Sequence, residues 1–413
     1  MSTPATDTDS ASSLDAHIYD TLASIGKSER TVEIEILPGA LGPLLTDDDG
    51  SSSSIGITKK ALIQAFITAR GVFFASNPTP EDEGDDDVVA AASTVILVFD
   101  SEHLTACNWR KRRIVRSLSK QGSDAIDRPP PSPSPLPLLC AECNFTASLL
   151  GSPLHRHAKS PTLWYHRFWL MQVYLRHQHH YSYQQPKAEM LKREVELVLR
   201  AAEHHPMNYY AFSYLRQYLA LLSGSDGGLD DRSKLITTYE VGVKVEAEHD
   251  RGNIATTAPE TGGGNSRLIS DAHLITTMRD WCLRNPGDNS GWMFLLHVLT
   301  LVRDGGNNYD DGNDDVVHDV VQRVIQFGRA VQWQREALWT FVELARSRLG
   351  AANEEEEAGQ AEGGLHVWHD WGQDRGQGPA ALELDGPVAN ETLTSMPPGP
   401  RPWKRWTRQV GLP

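Results

Sequence analysis

The sequence predicts an all-α fold: an α-α superhelix, a solenoid of helical hairpins, carrying a small N-terminal extension. Three observations lead to it. The stretch from Lys159 to Leu175 (KSPTLWYHRFWLMQVYL) sets Trp164, Phe168, Met171 and Leu175 at steps of four, three and four residues, which puts them on one stripe of a helix. That layout then returns. His205-Pro206-Met207-Asn208-Tyr209-Tyr210-Ala211-Phe212 leads into Leu215, Leu219 and Leu222, and Asn285-Pro286-Gly287-Asp288 leads through Trp292 into Leu295, Leu299 and Val302. Glu336-Ala337-Leu338-Trp339 leads into Val342 and Leu349, and a weaker copy runs from Leu104 through Cys107 to Ile114 and Leu118. The junctions are also punctuated as helix junctions are: in two copies a proline stops one helix, Asn208 or Asp288 is placed to cap the next, and an aromatic enters its first turns. The anchors Cys107, Trp164, Phe212, Trp292 and Trp339 lie 57, 48, 80 and 47 residues apart, the two long intervals holding insertions. Units of this kind cannot bury their apolar faces alone and stack on one another.

Taken in order, residues 1–57 form the N-terminal extension, polar and disordered over 1–13. A short helix is expected over Leu14–Ile25, an edge strand over Thr31–Leu37 from the alternation of Val32, Ile34 and Ile36, and a loop over Thr46–Ser54. Residues 58–349 form the repeat domain. Leu62, Phe66, Ala69 and Phe73 give Lys59–Phe74 helical spacing, an acidic loop (EDEGDDD) follows, and Val88–Phe99 is apolar enough for a buried helix. An insert at 121–138 holds RPPPSPSPLP, a stiff linker through which no helix continues. The array resumes at Phe145–Leu154, and Leu191, Val195, Val198 and Ala202 mark the first helix of the next hairpin. A second insert at 223–265 is rich in Gly, Asp and Thr, with one helix expected near Leu235–Ala247. Leu274, Met278 and Trp281, then Val317, Val320, Val321 and Val324, mark two further first helices. Residues 350–413, acidic and then rich in proline and tryptophan, leave the array; Trp368, Trp371, Trp403 and Trp406 are expected to fold back, since indole rings are costly to leave in water.

A net charge of −15 argues against general nucleic-acid affinity, and four cysteines are too few for a disulfide framework. No apolar run reaches membrane-spanning length, no basic-then-apolar leader opens the sequence and no lipidation cysteine closes it, so a reducing, cytoplasmic location is expected. Several clusters bear on chemistry. Cys140-x-x-Cys143 with His155-x-His157 has the residue types of a zinc site but not the spacing, and no metal is expected. His177, His179 and His180 read as a solvated helix end, and the basic run Arg110–Arg113, with Arg116 and Lys120, as a helix face meeting an acidic partner. No phosphate-cradling glycine loop, GxSxG or HExxH is present. The chain carries no self-sufficient active site.

The repeated units resemble a known family. Trp164-Tyr165-His166-Arg167 matches the W-x-H-R core of the protein prenyltransferase α-subunit repeat. Pro206-Met207-Asn208-Tyr209-Tyr210-Ala211-Phe212 is similar to its P-K-N-Y-x-A-W form, and Thr105-Ala106-Cys107-Asn108-Trp109-Arg110-Lys111 to its T-A-W-N-x-R-K opening. The resemblance spans roughly residues 90–345 and looks most like the divergent, α-subunit repeat-containing branch. The chain departs from the pattern where Cys107 and Phe212 replace tryptophan, and where Leu215, Leu295 and Val342 replace the arginine three residues on, which bears on pairing between repeats.

The resemblance implies a division of labour. An α-type subunit wraps around a β subunit that holds the catalytic zinc and the isoprenoid pocket, and this chain binds no cofactor itself. The expected partners are therefore a prenyltransferase β subunit and, through the complex, an isoprenyl diphosphate and a protein substrate; the rival is a non-enzymatic helical-repeat scaffold. Lys159, five residues before Trp164, matches the family's lysine that reaches toward the diphosphate, and Tyr209 matches a tyrosine near the same site, although the two stand in different repeats. Tyr165, His166, Arg167, Tyr209 and Tyr214 surround the anchors without fitting the apolar stripe cleanly and are expected at the partner interface.

Overall fold

The computed structural model describes residues 6–50, 52–76, 86–123, 136–154, 156–177, 186–223, 272–305 and 312–350. Helix α1 (Thr6–Ser24) leads into a small sheet of β1 (Val32–Leu37), β2 (Leu44–Asp48) and β3 (Ser53–Thr58). All that follows among the described residues is helical: α2 (Lys59–Ala75), α3 (Asp86–Phe99), α4 (Leu104–Ser123), α5 (Leu136–Gly151), α6 (Pro161–His177), α7 (Lys187–His204), α8 (Tyr209–Leu222), α9 (Ala272–Arg284), α10 (Asn289–Gly305), α11 (Gly312–Ala330) and α12 (Glu336–Leu349). The helices from α3 onward pair as hairpins. Second helices stack on second helices, α4 on α6, α6 on α8, α8 on α10 and α10 on α12, while α5 packs on α7 and α9 on α11. This is the expected all-α superhelix with an N-terminal extension.

Each anchor is the fourth residue of its helix: Cys107 in α4, Trp164 in α6, Phe212 in α8, Trp292 in α10 and Trp339 in α12. Four of them are buried, and Trp339, in the last described hairpin, is partly buried against the core. Their register explains the stacking. Trp164 meets Tyr214 at a ring-centroid distance of 5.0 Å, Phe212 meets Phe294 at 5.6 Å, and Trp292 meets Phe341 at 4.9 Å. In every case the anchor's ring meets the aromatic two residues past the next anchor, a contact that adds about 0.5–1.5 kcal/mol beyond area burial. The indoles also close their own helix entries: Trp164 Nε1 donates to Ala158 O (2.8 Å), Trp292 Nε1 to Pro286 O (3.0 Å) and Trp339 Nε1 to Trp333 O (2.7 Å), always six residues back.

The extension departs from expectation in two places. Helix begins at Thr6 rather than Leu14, no glycine or proline interrupting Thr6–Ser24. The stretch 46–54, expected as a loop, supplies most of β2 and the start of β3, because Asp49 and Gly50 make a tight hairpin turn in which Ser52 N donates to Asp49 Oδ1 (2.7 Å). The sheet order is β1-β3-β2, with β1 parallel and β2 antiparallel to β3. As expected, β1 is an edge strand. Its outer edge is not left open: Val32 N donates to Ser148 Oγ (2.8 Å) and Ile34 N to Ser152 Oγ (2.9 Å), so a serine in the last turn of α5 and the serine just past its end stand in for a fourth strand. Ile18, Leu22, Ile25, Val32 and Ile34 belong to the same continuous core as the repeats.

Helices α4 and α5 extend into the ends of the proline-rich insert, to Ser123 and from Leu136. The glycine-rich insert with its expected helix near Leu235–Ala247, the histidines at 155, 179 and 180, and the four tail tryptophans lie outside the described residues. Gly350, in the left-handed conformation (φ +59°), ends α12.

Candidate functional site

The residues singled out in the sequence divide into a buried set and an exposed set, and the anchor register decides which is which. Position +2 after each anchor is the inter-repeat stacking position, and it holds His166 and Tyr214; position +3 holds Arg110 and Arg167. All four are buried. His166, Arg167 and Tyr214 are therefore inside the array rather than at a partner interface.

What they do there is pair neighbouring hairpins. The Arg110 guanidinium grips Glu142 of α5, with Nε 2.8 and 3.1 Å from the two carboxylate oxygens and Nη2 2.6 Å from Oε2. His166 of α6 donates from Nε2 to Glu142 Oε1 (2.8 Å). One unit later, Arg167 bonds Glu194 of α7 through Nε (3.1 Å) and Nη2 (2.5 Å), and the Tyr214 hydroxyl of α8 donates to Glu194 Oε2 (2.5 Å). Arg167 also donates to Cys143 O and to Thr146 Oγ1 (2.9 Å). The two triads are the same device: an arginine of one hairpin, a glutamate on the first helix of the next, and the +2 side chain of that hairpin. Burial pushes the Glu142 carboxyl up, but the Arg110 charge and the bonds from His166 and Arg110 outweigh it and hold it at about 2. Burial pushes the His166 imidazole down against the pull of Glu142 and pushes the Tyr214 hydroxyl well up. These groups are structural. The basic run resolves in the same way: Arg110 is internal, while Arg113 and Arg116 reach Asp87 (2.9 Å) and Asp86 (2.8 Å) in the first turn of α3, so the acidic partner of that face lies within the chain.

The exposed set gathers at one end of the stacked second helices. Lys159 closes a 3-10 turn (His157–Lys159) just ahead of α6, and its side chain is exposed. Tyr165 on α6, and Met207, Tyr209 and Tyr210 at the start of α8, are all about half exposed or more. Ala158 O accepts from both Trp164 Nε1 and Asn208 Nδ2 (2.6 Å), which ties the entry of α6 to the entry of α8. Lys159 and Tyr209, from different repeats in the sequence, each directly follow one member of the Ala158–Asn208 pair. Asn208 also caps α8 by accepting from Ala211 N (3.2 Å). Met207 holds a left-handed backbone (φ +58°), unusual without glycine, and its N–H donates to Asp288 Oδ2 (2.7 Å), while Asp288 Oδ1 accepts from Ser290 N and Gly291 N at the entry of α10. The ledge is thus held from below by three successive helix entries. It presents one ammonium and several aromatic surfaces at the positive ends of the helix dipoles.

Cys140 is exposed and Cys143 partly buried on α5, while His157 is buried with Nε2 against Leu97 O (2.9 Å). Among the described residues no group of three or more potential ligands converges, and no helix is long and apolar enough to cross a membrane.

Residues 191–222 match the protein prenyltransferase alpha subunit repeat. The matched segment runs through α7 and α8 and contains Glu194, Asn208 and Phe212. Comparison with curated proteins finds no match. Over that segment the chain is similar to the repeat, and the hairpins on either side of it are built on the same register.

Proposed function

We propose that this chain is the α-type subunit of a cytoplasmic protein prenyltransferase, required for geranylgeranyl or farnesyl transfer to a protein cysteine and assembling with a catalytic, zinc-bearing β subunit. The observation that supports the reading is the exposed ledge, in which Lys159 and Tyr209 each directly follow one member of the Ala158–Asn208 pair, bonded at 2.6 Å. An ammonium held there suits a diphosphate leaving group, which gathers negative charge as its bond to the isoprenoid breaks, and a fixed cation stabilises that charge most at the transition state. Tyr165, Tyr209 and Tyr210 supply contact area for the β subunit at modest entropic cost.

Co-expression with candidate β chains tests assembly: a stable one-to-one complex supports the reading, and failure with every β chain leaves a helical-repeat scaffold. Within a reconstituted complex, Lys159→Ala should lower the turnover number while assembly is unchanged. Unchanged turnover in an intact complex removes Lys159 from the chemistry.

A further inference from the structure

Helix α2 carries two apolar stripes, and only one of them is buried. Leu62, Ala65, Ala69 and Phe73 face the core, whereas Ile63, Ile67 and Phe74, at steps of four and seven residues, face outward; Ile67 is 57% and Phe74 51% exposed. The outer stripe is the spine of a wider patch. Phe66, beside it, stacks on the exposed Phe99 at the end of α3 with ring centroids 4.2 Å apart. The Phe74 ring lies 6.3 Å from that of His103, next to Leu104, which is 61% exposed. Neither the anchor register nor the ledge described above uses these side chains.

The charges along the stripe have one sign. Lys59 and Arg70 flank it on one side and Lys60 on the other; all three are exposed, and none has a carboxylate partner among the described residues. Arg70 lies instead over the Phe74 ring (5.8 Å). The helix contains no Asp or Glu, in a chain whose net charge is −15. Asp86 and Asp87, at the start of the neighbouring α3, are taken up by Arg116, Arg113 and Lys27.

We propose that this face of α2 docks on an anionic membrane surface, lying on it rather than crossing it. Isoleucine and phenylalanine side chains enter the boundary between headgroups and acyl chains, while the flanking lysines and arginine extend their charged ends to the anionic headgroups. A protein surface mixes charges of both signs. A leaflet rich in anionic lipid is a plane of one sign, and cations on both flanks of an apolar stripe, with no acid among them, match that plane. The inference is independent of the function proposed above.

Co-sedimentation of the full chain with phosphatidylcholine vesicles, with and without phosphatidylserine, tests it. The chain should partition about tenfold or more in favour of the phosphatidylserine vesicles, and Lys59→Gln/Lys60→Gln/Arg70→Gln should abolish that preference. Ile67→Ser/Phe74→Ser should weaken binding to the same vesicles about tenfold or more, since the apolar contact is lost. Val331→Ser, at an exposed apolar residue just past α11, should leave binding unchanged. The cation variant alters only exposed side chains, so it decides if the serine variant changes the circular dichroism spectrum. Sedimentation with neither vesicle overturns the membrane as the occupant and leaves the face to an acidic protein segment. Equal partition onto both vesicles, wild-type binding by the cation variant, or equal weakening by Val331→Ser also overturns it.

Discussion

Glu142 is the residue on which the first two repeats are joined, and replacing it with glutamine isolates what its charge does. Glutamine keeps the shape and one acceptor but leaves the Arg110 guanidinium, 3% exposed, without a counter-ion. Removing one partner of a buried ion pair costs about 3–5 kcal/mol, most of it the cost of stranding the other charge. The carboxyl's own depression points in the same direction. Burial alone raises Glu142, yet Arg110 and His166 bring it from 4.5 to about 2. That depression corresponds to about 3 kcal/mol at about 1.4 kcal/mol per pKa unit.

The sign of the pH dependence follows. Because the folded value is depressed, the unfolded chain binds the proton more readily. The stabilisation from Glu142 is complete above its unfolded value of 4.5 and is lost as pH falls toward about 2. Urea unfolding followed by circular dichroism, at neutral pH and again near pH 3, measures both. Glu142→Gln should lower stability by about 3–5 kcal/mol at neutral pH and should lose less on acidification than the wild type does. In Arg110→Met/Glu142→Gln the losses should fall short of additivity by at least about 1 kcal/mol. A neutral-pH loss below about 1 kcal/mol, or identical acid sensitivity in variant and wild type, would refute the buried triad as a stabilising joint.

Three further outcomes are expected. Trp164→Phe should cost only about 1 kcal/mol, the worth of its bond to Ala158 O, which Asn208 Nδ2 continues to satisfy, whereas Trp164→Ala should cost about 3–5 kcal/mol; thermal unfolding separates the two. Gly291→Ala places a methyl 2.4 Å from Trp281 Cζ3 and should lower stability by about 1–3 kcal/mol, measured as a fall in Tm, since neither the ring nor the helix can yield without repacking. Ser148→Ala/Ser152→Ala leaves Val32 N and Ile34 N without acceptors, and hydrogen exchange at those two amides should accelerate while exchange in α10 and α12 stays as it was.

The architecture was legible because helical stacking writes itself into sequence at fixed spacing. Pro161, Asn208 and Asp288 mark helix entries from their own chemistry, and the structure uses the latter two as caps. The N-terminal sheet was legible only in part. The alternation in β1 shows an edge strand, but the side chains that close its edge lie more than a hundred residues away, and no local pattern announces that serines at the end of a helix will accept from a strand. The site was misread where polarity was taken for exposure. His166, Arg167 and Tyr214 fail to fit an apolar stripe because they satisfy one another's neighbours inside the array. A signal for this was present: the residues two past the anchors are Trp109, His166, Tyr214, Phe294 and Phe341, all of them ring-bearing. A position that is always a ring, whatever its polarity, is a packing position.

That register also gives a physical account of how the chain departs from the repeat pattern it resembles. Where the arginine at +3 survives, as Arg110 and Arg167, the next first helix offers a buried glutamate and the next +2 position carries a group able to donate to it. Where it is lost, as Leu215 and Leu295, all the partners change together. The +2 positions become Phe294 and Phe341, and the acids whose side chains are described on the following first helices, Asp280 on α9 and Asp315 and Asp319 on α11, are all exposed. An arginine alone at 215 would be a stranded buried cation, and a glutamate alone on α9 an unpaired anion, each costing several kcal/mol. The triad can therefore be kept or discarded only as a unit. The substitutions at Leu215 and Leu295 are an apolar solution to the same joint, and they leave the array with polar joints among its first hairpins and aromatic joints among its last.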